Sequence, residues 1–289
     1  MSIPFHQFSQ DDETSISFKI LPLRQQTGYD PGDPHRHNYY EIFFFEKGGG
    51  DHTIDFETIP VHDQSIHFVS PGQVHQLRRA SDSYGSVISF SREFYYLGLQ
   101  EKNLLFEMPF LNNAMARPVL NLSEEAFSTC LHLVQAMAQE ASAALPYTPH
   151  QLRSYLNILM IQCKRFFEQQ PPDHMHSHSE QPLFIRFRQT LEEHFFHLHQ
   201  VQEYSEMLSV SDKQLNELVK AHSGYTALEY IHARLLLETK RLLLYSELSL
   251  KEIAFHLSFD DPSHFSRFFK SKTGTSPGHF REQHSGMYQ

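Results

Sequence analysis

Four residues near the front of the chain have the types and spacing of a metal-ligating set. His35, His37 and Glu41 lie in Gly-Asp-Pro-His-Arg-His-Asn-Tyr-Tyr-Glu, and His75 lies in Pro-Gly-Gln-Val-His. Side chains alternate along an extended strand, so His35, His37 and Glu41 fall on one face. A neighbouring strand would bring His75 alongside. Three imidazoles and one carboxylate suit a first-row metal such as Fe, Mn, Ni or Zn. Tyr39, Phe43 and Phe45 share the inward parity and would line an apolar pocket or serve as ordinary core. Two readings follow. One is a divalent metal site at His35, His37, Glu41 and His75. The other is an effector pocket of His35, His37, Tyr39, Glu41, Phe43 and His75, whose polar groups bind a ligand or satisfy one another. His174, His176 and His178 also alternate, but in a polar stretch with no evident fourth ligand.

The second informative feature is a repeat in the last ninety residues. Tyr204, Leu208 and Val210 match Ile253, Leu257 and Phe259 at an offset of 49. Leu215, Leu218, Val219, Lys220 and Gly224 match Phe265, Phe268, Phe269, Lys270 and Gly274 at an offset of 50, so the second turn holds one extra residue. Repetition at this period signals duplicated supersecondary units. Each unit reads as a supporting helix, a tight turn and a second helix with one polar face. Ser211 caps the first of these second helices, and Asp261 the other, with Pro262 at its first position. The polar faces carry Ser211, Lys213, Gln214, Asn216, Glu217 and Lys220, then Ser263, His264, Ser266, Arg267 and Lys270. Such side chains hydrogen-bond base edges and phosphates. A continuous helical pattern over residues 228–245 joins the units.

The elements that must position these groups divide the chain. Residues 16–90 read as β, with runs at 41–45, 52–56, 65–69 and 86–90 separated by turn residues, a spacing that suits an antiparallel barrel or jelly roll. Residues 123–145 and 148–169 read as two helices joined at Pro146. Residues 170–182 read as a linker, and 183–289 as all helix. The expected domains are a barrel over 1–122, a helical dimerisation segment over 123–169, the linker, and a helix-turn-helix pair over 183–289.

The segment SLKEIAFHLSFDDPSHFSRFFKSKTGTSPGHFRE resembles the C-terminal signature of the AraC/XylS family of bacterial transcription regulators. The matching residues are Ile253-Ala254, Phe265-Ser266-Arg267-Phe268-Phe269-Lys270, Gly274, Pro277 and Phe280-Arg281, with Arg234 in the connector. Ser258 stands where the family usually has glycine, and Ser209 occupies the equivalent point of the first unit. His35, His37, Glu41 and Gly48, followed by Pro71, Gly72 and His75, resemble the cupin metal motifs, although the Asn that usually follows the last His is missing. The resemblance implies an N-terminal cupin-like sensor barrel and a C-terminal all-α domain that binds promoter DNA. It implies a small-molecule effector, a homodimer and, for an activator, RNA polymerase as a further partner. A metal-dependent cupin enzyme or metal sensor fused to a DNA-binding domain is the alternative.

Composition sets bounds. The net charge of −10 argues against bulk attraction to nucleic acid, but residues 1–180 carry −9 of it and residues 181–289 only −1. Sequence-specific contacts must then outweigh general electrostatics. No run approaches the ~18 apolar residues of a membrane span, and no basic-then-apolar leader is visible at the start, which points to the cytoplasm. Cys130 and Cys163 read as reduced, buried thiols. No cofactor beyond the candidate metal is called for, and no catalytic residue is assigned.

Overall fold

A computed structural model describes residues 4–6, 18–23, 32–96, 105, 108–111, 118–143, 145–169 and 182–284. The chain forms two compact units that part between Gln170 and Pro171. The linker histidines His174, His176 and His178 lie outside the described residues.

Among the described residues the N-terminal unit has ten strands: β1 Phe5–His6, β2 Phe18–Pro22, β3 His35–His37, β4 Tyr40–Lys47, β5 Gly50–Ile54, β6 Glu57–Pro60, β7 Ser65–Val69, β8 Val74–Arg79, β9 Tyr84–Phe90 and β10 Val119–Asn121. They make two five-stranded sheets, ordered β1-β3-β8-β5-β6 and β10-β7-β4-β9-β2. Pairing is antiparallel except for β1 with β3, and among the described residues the sheets stay open instead of closing into a ring. The expected barrel is thus a sandwich of jelly-roll character. The run expected over 52–56 ends earlier, at Ile54, because Asp55 turns the chain with φ 53°. The Asp55 carboxylate accepts bonds from the Val74 amide and the Gln73 side chain, which holds the turn.

Alternation on β4 sorts two cores. Tyr40, Ile42 and Phe44 face a helical layer, and Phe43 and Phe45 face the other sheet. The helical layer comprises α1 Arg92–Tyr96, α2 Glu124–Ala143 and α3 Thr148–Gln169. Phe127, Val134, Met137, Leu152, Leu156 and Phe167 join it to the sheet in one cluster, and Cys130 and Cys163 are buried and reduced within it. The two helices stop at Ala143 and restart at Thr148, where Tyr147 has φ 70°. Gly48 sits where any Cβ would lie 2.4 Å from the His62 carbonyl carbon, so the motif glycine serves close backbone approach.

The C-terminal unit is helical: α4 Pro182–His194, α5 Val201–Leu208, α6 Asp212–Ser223, α7 Ala227–Tyr245, α8 Leu250–His256, α9 Pro262–Thr273 and α10 Pro277–His284. Each helix-turn-helix has its own core. Phe187, Tyr204, Leu215 and Val219 pack in the first, and Ile253, Leu257, Phe265 and Phe269 in the second. No helix among the described residues is long and apolar enough to cross a membrane.

Candidate effector site and DNA-binding surface

Strand alternation and register bring the N-terminal chemistry together between the sheets. His35 on β3 pairs directly with His75 on β8, and Glu41 on β4 pairs with Ser89 on β9. His35, His37, Glu41 and His75 are all at most 3% exposed. His37 Nδ1 lies 2.7 Å from the Tyr39 carbonyl oxygen, which can only accept, so that ring nitrogen carries a proton. His37 Nε2 then faces His75 Nε2 at 3.0 Å and Glu41 Oε2 at 3.3 Å, and the His75–Glu41 distance is 3.6 Å. His35 anchors its Nδ1 on the Asp33 carbonyl at 2.8 Å and places a ligand atom within 4.8 Å of those of Glu41 and His75. Ser89 Oγ donates to the other Glu41 oxygen at 3.1 Å.

Two members of this cluster went unread in the sequence. His52 on β5 places Nε2 3.2 Å from His75 Nδ1, and its Nδ1 lies 3.2 Å from Nδ1 of His67 on β7. His52, His67 and His75 join His37 and Glu41 in one buried chain across both sheets. The only sequence signal for His52 and His67 was their parity with inward Ile54 and Val69. Tyr39 stacks on His37 with ring centroids 4.1 Å apart, and Phe43 meets His52 and His75 in T-shaped contacts. The aromatic residues therefore clamp the imidazoles.

Burial governs the protonation of this cluster. It pulls His35 down to about 4 and His67 to about 3. It also pulls His52 and His75 well below the ordinary histidine value, helped by neighbouring imidazoles. Burial pushes the Glu41 carboxyl up, but the facing His37 imidazole outweighs it and holds the group below its usual range. With the His35, His52, His67 and His75 imidazoles kept neutral by burial, the site presents their lone pairs beside the Glu41 carboxylate, which faces His37 and no lysine or arginine among the described residues. That donor set fits a divalent ion. His37 Nε2, His75 Nε2 and Glu41 Oε2 lie 3.0–3.6 Å from one another and would hold such an ion between them.

In the C-terminal unit the caps are local and follow the sequence. Ser211 Oγ accepts from the Gln214 amide at 3.2 Å, and Gln214 Oε1 accepts from the Ser211 amide at 3.1 Å. Asp261 accepts from the Ser263 amide at 2.9 Å, with Pro262 at the first helical position. Gly224 and Gly274 close α6 and α9 with φ 75° and 80°. Ser209 and Ser258 both take left-handed φ, 57° and 54°, where glycine would be the easier residue. Lys213, Gln214, Glu217, Lys220, Ser263, His264, Arg267 and Lys270 are exposed, as is Ser211, while Ser266 is half-buried. Asn216 is also half-buried, and its Oδ1 accepts the Ala227 amide at 3.0 Å, capping the connector. Arg234 turns inward. Its Nε donates to both Glu192 oxygens, its Nη1 to Glu238 at 3.1 Å, and its guanidinium covers the Phe195 ring at 3.7 Å.

A sheet sandwich enclosing a polar cluster, followed by paired helix-turn-helix units with exposed polar faces, defines a ligand-responsive DNA-binding regulator. Comparison with known proteins agrees. Residues 23–151 match the AraC-like ligand binding domain and residues 204–283 a helix-turn-helix domain. The chain belongs to the AraC family of transcriptional regulators. It is 20% identical over 280 residues to the uncharacterized HTH-type transcriptional regulator YfiF of Bacillus subtilis, covering 96% of this chain and 86% of that one. It is 23% identical to the HTH-type transcriptional activator RhaS of Escherichia coli, covering 88% and 89%. Among solved structures, ToxT from Vibrio cholerae aligns with 93% of this chain and 99% of its own at 14% identity, TM-score 0.42.

Proposed function

We propose that this regulator binds its operator by placing α6 and α9 in successive major grooves on one face of the duplex. The connector α7 is the observation that carries the reading. Its 19 residues span roughly 28 Å at ~1.5 Å rise, comparable with the ~34 Å repeat of B-DNA. Lys213, Glu217 and Lys220 on α6, and Ser263, His264, Arg267 and Lys270 on α9, would meet the DNA, with Ser211, Gln214 and Ser266 at the edges. Asn216 would act by holding the connector. The buried cluster of His35, His37, Tyr39, Glu41, Phe43 and His75 would receive the effector, and binding would shift the balance between two arrangements of the chain. The α2–α3 layer would form a homodimer, a reading supported by Ile158, which is 44% exposed on α3. An activator would also meet RNA polymerase. With operator DNA as its partner the regulator would work in the cytoplasm, and its N-terminal cluster would bind a ligand without turning it over.

Selection from a random duplex pool tests this. Enriched sequences should share two short base blocks about one helical turn apart per monomer. Enrichment of a single block, or of none, overturns the two-groove reading.

A further inference from the structure

We propose that Arg153 on α3 anchors a second ligand site, which takes the carboxylate of a small organic acid on the helical side of the sheet. The site is distinct from the buried histidine cluster. Phe94, which Arg153 covers, belongs to the core faced by Tyr40, Ile42 and Phe44, whereas Phe43 on the other face of β4 meets the histidines.

Three observations carry the inference. First, an arginine stands in a column of core residues. Arg153, Met160 and Phe167 follow one another two turns apart on α3, and all three are buried. The chain thus commits a cation to a position whose neighbours along the column are apolar. Second, that cation has no countercharge. Arg153 is 8% exposed, and its guanidinium lies 5.3 Å from the centre of the Phe94 ring on α1. It makes no hydrogen bond or ion pair with a described residue, and burial lowers its pKa with no acid to oppose the shift. A ring face compensates a buried cation only in part, and buried charges are normally paired. The guanidinium nitrogens keep some contact with solvent, so a ligand oxygen can reach them. Their planar fork of donors matches a carboxylate. Third, Asn157 supplies a further donor one turn along α3. Its Oδ1 accepts the Tyr95 hydroxyl at 3.1 Å, which fixes the amide. Its Nδ2 bonds to no described residue and can reach the same carboxylate, because side chains at i and i+4 share a helix face. Phe94 lays an apolar floor for the body of the acid. Residues 1–180 carry a net charge of −9, so one guanidinium in this acidic unit suits a monoanion better than a phosphate dianion.

The test uses the full chain in chloride buffer, titrated with sodium benzoate, acetate and phosphate at matched ionic strength. Melting temperature, binding heat and oligomeric state are read. Benzoate should raise the melting temperature of the wild type, and by more than phosphate does. Arg153→Met should melt above the wild type without benzoate, because the stranded charge is gone, and should lose the benzoate response. Asn157→Asp is the second variant. It sets a carboxylate one turn from the guanidinium, where the Tyr95 hydroxyl can still donate. It should stabilise the ligand-free chain and bind benzoate about 10–100-fold more weakly, the loss of a charge-assisted hydrogen bond. Arg165→Met, which removes an exposed arginine of the same helix, should match the wild type in every titration. A wild type that no carboxylate stabilises would overturn the proposal. So would a benzoate response that survives both Arg153→Met and Asn157→Asp, or tighter binding of phosphate than of benzoate. Conversion of a dimer to a monomer by Arg153→Met, with no benzoate response in the wild type, would give the guanidinium to an acidic side chain of a second copy and overturn the small-molecule assignment.

Discussion

Replacing Arg234 by methionine should be among the most damaging single changes in the DNA-binding unit. The guanidinium joins α4 to α7 through a bifurcated contact with Glu192 at 2.9 and 3.0 Å, and it reaches Glu238 at 3.1 Å. The side chains of Arg234, Glu192 and Glu238 are 13%, 21% and 13% exposed, so water screens these contacts poorly. Removing one partner of a buried pair costs about 3–5 kcal/mol, mostly from the charge left behind. Here Glu238 keeps Arg241 at 3.2 Å, and Glu192 is the more exposed of the two carboxylates. The low end, about 3 kcal/mol, is therefore expected. Methionine fills much of the volume over Phe195 but loses the cation–ring contact, which reinforces that figure. For a domain of this size each kcal/mol moves the melting point by about 4–8 °C, so a fall of about 12–24 °C should appear. Glu192→Gln added to Arg234→Met removes the stranded charge and should restore about 1–2 kcal/mol. Guanidinium titration of both variants, followed by helical circular dichroism, gives the numbers. A single-variant loss below about 1 kcal/mol, or no recovery in the double variant, would refute the reasoning.

Arg267→Ala should weaken operator binding by about 5–150-fold, the ~1–3 kcal/mol of one base contact, and leave melting unchanged; wild-type affinity in a gel shift would remove Arg267 from the interface. Ser209→Gly should stabilise by about 0.5 kcal/mol, since left-handed backbone costs a side chain ~1–2 kcal/mol and glycine returns ~0.5–1 through the unfolded chain. Ser258→Gly should gain less, because it also loses a 2.8 Å bond with His197 worth ~0.5–1.5 kcal/mol; equal or larger gain at Ser258 in denaturant titrations would contradict that ordering. The N-terminal unit should lose stability as pH falls below about 6.5. Histidines held near 4 at His35 and near 3 at His67 stay neutral in the folded state while the unfolded chain takes up protons, so each contributes up to ~1.4 kcal/mol per pH unit. A denaturation midpoint that stays flat from pH 7.5 to 5 would show that these groups are not buried neutral.

The helix-turn-helix pair was legible because its determinants are local. A cap such as Ser211 meets its partner three residues on, Pro262 and Gly274 act on their own dihedral angles, and an apolar stripe repeats every three or four residues. The one-residue offset between the repeats even located the longer second turn. Where a contact left its own helix, spacing did not record it. Asn216 read as a base-facing residue, yet it reaches eleven positions along to cap the connector. Arg234 matched a family position with no visible partner, because Glu192 lies 42 residues away.

The β unit draws the same boundary more sharply. Alternation placed His35 and His37 on one face of β3, but the expected single strand breaks before Tyr40, and Glu41 faces them from β4 of the other sheet. Which strands pair, and in what register, does not follow from alternation. β5 lies beside β8, and β4 lies between β7 and β9, so His52 and His67 come from strands 15 residues apart to complete a chain that begins at Glu41. Such register is decided by which inner faces bury best once both sheets have formed, a property of the whole sandwich and not of any segment. The sequence by itself determined which side chains face inward and where the helices begin and end. Only the tertiary structure decided which of the inward histidines touch, because contact across sheets depends on strand order and depth of packing that no local spacing records.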